Sequence, residues 1–82
     1  MMSIRIRRHD SEEEELIPGH EDQDVLRFFF ILHNAVHVAD DPVPLAHTFE
    51  DGRTTFVYPQ DIASLRLFDG EEDVTQRTLA ES

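Results

Sequence analysis

The chain carries five histidines, the side chains whose charge changes most readily near neutral pH. His33 and His37 stand four apart, so on a helix their imidazoles share a face at metal-ligand spacing. His47 lies a little further on and completes a candidate metal set of His33, His37 and His47. The zinc-protease pattern is broken, because His33-Asn34-Ala35-Val36-His37 has Asn where His-Glu-x-x-His places its general base. The three histidines read either as ligands of a small metal- or ligand-binding module or as surface and hydrogen-bonded core side chains.

Other catalytic chemistry has little to stand on. The chain has no Cys, which excludes thiolate nucleophiles, thiolate metal sites and disulfides, and suits a reducing compartment. Ser3, Ser11, Ser64 and Ser82 occur in no Gly-x-Ser-x-Gly setting. With three glycines there is no Gly-x-Gly-x-x-Gly or Walker A loop to cradle phosphate. Asp69-Gly70-Glu71-Glu72-Asp73 lacks the alternating ligands of an EF-hand. No enzymatic activity and no cofactor are expected.

The charge balance bounds the partners. Eighteen Asp and Glu against seven basic residues give a net charge of -11, every basic residue is Arg, and Lys is absent. That composition resembles the cytosolic proteins of halophilic archaea, whose carboxylate-rich surfaces stay hydrated in molar salt. The resemblance implies a cytoplasmic protein adapted to high salt, and it transfers no site residue. An overall negative field disfavours nucleic acid and anionic membrane surfaces. The longest apolar run, 28–32, is far too short to span a bilayer, and the N terminus has no apolar leader.

The elements that must position the histidines follow from periodicity. Asp51-Gly52 between alternating apolar residues predicts a hairpin over 45–58 with a two-residue type I′ turn. That register sets Phe49 opposite Thr54, His47 opposite Phe56 and Leu45 opposite Tyr58, with all six facing the core. Ser3-Ile4-Arg5-Ile6-Arg7 alternates as a strand, and 63–68 alternates as another after a short turn at Pro59-Gln60-Asp61. Residues 22–39 read as one central helix, with Asp22 or Asp24 as N-cap and Asp40-Asp41-Pro42 as the stop. Pro42-Val43-Pro44 then forms a stiff connector.

The expected fold is α+β: a small antiparallel sheet of the N-terminal strand, the 45–58 hairpin and the 63–68 strand, covered by that helix. A pair of strands in place of the helix would give an all-β meander or small barrel. Residues 1–82 form a single domain, with an acidic loop over 9–21 and a tail over 70–82 that is a short helix or frayed. The expected core is Ile4, Ile6, Val25, Phe29, Leu32, Val36, Leu45, Phe49, Phe56, Ile62, Leu65 and Leu67.

An 82-residue chain without disulfides is near the size at which one core is marginal, and association is the remaining remedy. Three consecutive aromatics cannot all enter one side of a small core. Phe28 and Phe30, with Phe68, are therefore candidate contacts with a second subunit or another protein. Arg5 and Arg7 either pair with the protein's own carboxylates or form a site for an anionic partner. The expected role is a non-enzymatic interaction protein, either a homodimer or an accessory subunit.

Overall fold

The computed structural model describes residues 1–19, 21–37 and 43–81. Strands β1 (Met2–Arg8) and β2 (Glu14–Pro18) precede helix α1 (Asp22–His37). Strands β3 (Leu45–Thr48) and β4 (Thr54–Val57) form a hairpin, and a 3-10 turn at Pro59–Asp61 leads into β5 (Ile62–Asp69). Strand β6 (Glu72–Asp73) and helix α2 (Thr75–Ala80) complete the chain. The fold is α+β, with every strand pairing antiparallel.

Two sheets share the work. Four strands form one sheet in the order β2-β1-β5-β6, while β3 and β4 pair only with each other. The hairpin therefore has a sheet of its own and is not joined by hydrogen bonds to β1 and β5. Ile4 pairs with Leu67 on one side and Ile17 on the other, and all three are buried beneath α1. Alternation sends Arg5, Arg7, Ser64 and Arg66 to the opposite face, as in an antiparallel sheet with one solvated side.

Helix α1 buries Val25, Phe28, Phe29 and Leu32, the i, i+3, i+4, i+7 set of one helical face. Phe28 thus belongs to the core stripe. Its ring is fully buried within the chain, so it is not a candidate partner contact. The first helical bond runs from the Val25 N–H to the Glu21 carbonyl, so neither Asp22 nor Asp24 occupies the capping position. Asp22 instead accepts the Met2 N–H at 2.9 Å and ties the helix start to β1. The last two expected helical residues, 38–39, and the Asp40-Asp41-Pro42 stop lie outside the described residues.

The acidic stretch is not loop throughout, since Glu14–Pro18 forms the edge strand β2. A strand edge leaves carboxylates half in water, and each of the first two glutamates finds an arginine. Glu14 takes a bidentate bond from Arg66, and Glu15 takes one from Arg8 at 2.9 Å. Ile17 supplies the buried contact. The tail is ordered by Thr75, whose hydroxyl accepts the Leu67 N–H at 2.8 Å and donates to Asp73 at 2.6 Å. That bond holds the Asp73 carboxyl below its ordinary range, and Val74 is buried beside it.

The hairpin register differs from the expected one by a single residue. Leu45 pairs with Val57, Ala46 with Phe56, His47 with Thr55 and Thr48 with Thr54. The Phe49 N–H donates to the Arg53 carbonyl at 2.8 Å, and the Gly52 N–H donates to the Phe49 carbonyl at 2.9 Å. Those bonds close a turn over Phe49-Glu50-Asp51-Gly52, in which only Gly52 has positive φ, at 91°. This is the three-residue hairpin loop that ends in a left-handed glycine, whereas a type I′ turn needs positive φ at Asp51 as well. The extra loop residue turns β4 over. Val57 enters the core, and Phe56 stands 68% exposed instead of joining it.

Asp69-Gly70, by contrast, makes the tight two-residue turn. Asp69 pairs with Glu72, and Gly70, with φ 62°, is the first of the two loop residues. A Cβ at Gly52 would meet nothing within 4 Å, so a substitution there is felt through the backbone alone. Gly52→Ala is expected to cost about 1–2 kcal/mol, read as a lower urea midpoint with unchanged m-value.

Candidate functional site

The most organised polar cluster joins α1 to the hairpin. Asp24, in the first turn of α1, is only 4% exposed. One carboxylate oxygen accepts the His47 Nε2–H at 2.9 Å, and the other accepts the Glu50 N–H at 3.0 Å. The His47 ring stacks on Phe28 at 4.6 Å between centroids with planes 9° apart, and it meets Phe49 edge-on at 4.7 Å. Phe28 and Phe49 meet edge to face, closing a small aromatic box around the imidazole.

Opposing effects act on the Asp24 carboxyl. Burial raises its pKa, but the Glu50 N–H and His47 both favour the anion, and the balance lies below the ordinary 3.8. Asp24 also stands in the first turn of α1, where the positive helix end favours an anion. An acid whose folded pKa is depressed stabilises the fold fully above the unfolded value and loses that contribution as pH falls through the folded one. Asp24 therefore contributes to acid unfolding below about pH 3.8.

The three candidate metal ligands do not come together. His47 sits at the start of α1 with Asp24, whereas His33 lies nine residues further along the helix, about 13 Å at helical rise. Among the described residues, no group of three or more His, Cys, Asp or Glu is placed to hold a metal ion. His33 and His37 do share a helix face, with ring centroids 4.7 Å apart, but they supply two donors only. The expected set of three fails because the hairpin docks against the helix N-terminal turns, on the Phe28 side.

Burial, and secondarily the charge of His37, lowers the His33 pKa from 6.5. A base that resists protonation in the folded chain binds fewer protons there than in the unfolded chain. Stability therefore falls as pH drops from 6.5 through the lower folded value, and is untouched above 6.5.

Of the three candidate interface aromatics, two are enclosed. Phe68 is 5% exposed although it lies on the open face of the four-stranded sheet, because Arg5 and Arg66 cover it at 3.8 and 5.1 Å from the ring centroid. Phe30 is half-buried in a groove of about 350 Å³ between α1 and α2, with Leu26, Met2 and Val74. The aromatics that reach solvent are instead Phe56 and Tyr58, at 68% and 48%. The one-residue change in hairpin register put them there.

Cross-strand pairing places Phe56 beside Ala46 and Thr54 beside Thr48, and Tyr58 follows two residues on in extended backbone. The two threonine hydroxyls bond across the strands at 2.9 Å. These outward residues, Ala46, Thr48, Thr54, Phe56 and Tyr58, include no Asp, Glu or Arg, in a chain where 30% of residues are charged. Comparison with family models, with curated proteins and with solved structures finds no match to this chain. No helix among the described residues is long and apolar enough to cross a membrane.

Asp24 bonds His47 through Nε2, whereas the orienting carboxylate of a catalytic triad takes Nδ1, and the bond ties α1 to the hairpin. Nothing local in the sequence marks the pairing, which spans 23 positions.

Asp24→Ala strands the His47 and Glu50 donors, and about 1–3 kcal/mol of destabilisation is expected in urea unfolding near neutral pH. Asp24→Asn should also reduce the slope of stability against pH below about 3.8, followed by circular dichroism. His33→Gln should lessen the loss of stability between about pH 7 and pH 5, read as the shift in urea midpoint. An unchanged loss would remove His33 from that limb.

Proposed function

We propose that this chain is a small non-enzymatic interaction protein of a salt-rich cytoplasm, which pairs with a second copy of itself through the outer face of the β3–β4 hairpin. The observation that carries the reading is the exposure of Phe56 and Tyr58 on a face free of charged side chains. Aromatic side chains left in water are costly unless something covers them, and they are enriched where proteins meet.

The net charge restricts where a second copy can dock. Two molecules of charge -11 repel on approach, and an encounter through a face without carboxylates brings the fewest acids together. A two-fold arrangement sets the same patch against itself. A two-stranded sheet is also marginal alone and gains from further burial of its open face. At molar ionic strength the screening length falls to about 3 Å, so the remaining repulsion between copies fades. Abundant acid and absent Lys accord with such a setting.

Sedimentation equilibrium across a range of NaCl concentrations tests the reading. The expected result is a dimer whose share rises toward molar salt, and a Phe56→Ser variant shifted to monomer by about tenfold or more in dissociation constant. Because Phe56 is exposed, that substitution leaves the core intact and the variant should remain folded. A strict monomer at all salt concentrations would overturn self-association. A dimer indifferent to Phe56→Ser would place the interface elsewhere.

A further inference from the structure

The open face of the four-stranded sheet gathers three of the seven arginines of a strongly acidic chain. Arg5 stands directly opposite Arg66 in the β1–β5 register, and Arg7 follows two residues along β1. Like charges placed directly opposite one another destabilise a sheet. Arg66 is compensated by Glu14 and, at 3.7 Å, by Asp73. Arg5 and Arg7 make no ion pair among the described residues, because the acids nearest them, Glu14 opposite Arg7 and Asp73, are engaged by Arg66 and Thr75.

Nor is Arg5 loosely held. Its guanidinium lies 3.8 Å from the centroid of the Phe68 ring, a cation–π contact that fixes the group while occupying only one of its flat faces. The N–H donors of a guanidinium lie in its plane and remain available for a carboxylate fork. Beside it, Leu16 is 58% exposed and, with Arg5, Glu14 and Glu15, lines a shallow depression of about 220 Å³. An immobilised arginine without a carboxylate bonded to it, next to an exposed leucine, is a recognition element on a face that no helix of the described residues covers.

We infer that this sheet face docks an acidic peptide segment in extended conformation, with Arg5 and Arg7 binding carboxylates two residues apart and Leu16, opposite Arg5 on β2, flanking the first of them. Residues i and i+2 of a strand are separated by about 6.6–7 Å, in β1 as in an extended peptide, so the two rows of charge match in spacing. Glu14 and Asp73 interrupt the positive face. Those two acids break the continuous basic track that a run of nucleic-acid phosphates needs. In molar salt the long-range repulsion from the acidic body is screened, and contact hydrogen bonds decide the affinity. The inference stands apart from the hairpin surface, since neither Phe56 nor Tyr58 takes part.

The probe is an acetylated and amidated Glu-Val-Glu-Val-Glu peptide, titrated into isotope-labelled protein in about 1 M NaCl and followed by amide chemical shifts. A Gln-Val-Gln-Val-Gln peptide and a short oligothymidylate serve as comparisons. Saturable shifts at Arg5, Arg7 and Leu16 are expected with the glutamate peptide alone. Arg7→Gln, which breaks no ion pair of the fold, should weaken binding about tenfold, and Arg27→Gln on α1 should leave it unchanged. The inference is overturned by an absence of saturable shifts, by an equal response to the glutamine peptide, by preference for the oligothymidylate, or by unchanged affinity in Arg7→Gln.

Discussion

The structure depends on how a hairpin that, among the described residues, pairs with no strand of the main sheet is held against the helix. A lone two-stranded ribbon has little stability in water. Here Asp24 fastens it from one side by accepting from both His47 and the Glu50 backbone. The carboxylate is almost removed from solvent, and burial alone would push it toward protonation. Two donors aimed at its two oxygens reverse that preference. The aromatic box of Phe28, His47 and Phe49 then excludes water from the junction. Remove the acid and the imidazole loses its partner within an apolar enclosure, where an unmet donor is costly.

That junction also determines what the outside of the molecule looks like. Once His47 and Val57 face α1, alternation sends Ala46, Thr48, Thr54 and Phe56 outward. Likewise, once Ile4, Ile6 and Leu67 are committed to the helix side, Arg5, Arg7 and Arg66 must lie on the other face. The molecule thus presents two surfaces of different kind: a neutral aromatic one on the hairpin and an arginine-rich one, broken by Glu14 and Asp73, on the large sheet. Both are by-products of core packing, yet they are the places where an acidic protein least resembles its own average.

Much of the fold was legible in the chain. Ile4 and Ile6 alternating with arginines mark β1, and Val25, Phe29 and Leu32 mark the buried stripe of α1, because one face of each element is apolar and the other is not. The β-prone run Phe28-Phe29-Phe30 did not override that stripe, since burial of Phe28 and Phe29 outweighs a weak intrinsic preference. Strand β2 was hidden because four glutamates in a row conceal any alternation. What makes it a strand is the pairing of Ile17 with Ile4 and the arginines waiting on β1 and β5, all distant in sequence. Of the candidate site, the chemistry of His47 could be read from its residue type, but its partner Asp24 could not. The three-histidine set was compatible with sequence spacing and was excluded by distance along the helix.

Periodicity, glycine placement and charge are local properties, so β1, α1, β5, the reversal at Asp51-Gly52 and the acidic surface could be read from the chain alone. The hairpin register could not, because long-range packing sets it. Asp51-Gly52 and Asp69-Gly70 are the same dipeptide, yet the first closes a three-residue loop and the second a two-residue one. A turn signal specifies where the chain reverses, whereas the choice between neighbouring registers follows from which side chains the core can bury. Val57 enters the core and leaves Phe56 to water, a difference of one residue that exchanges the two faces of β4.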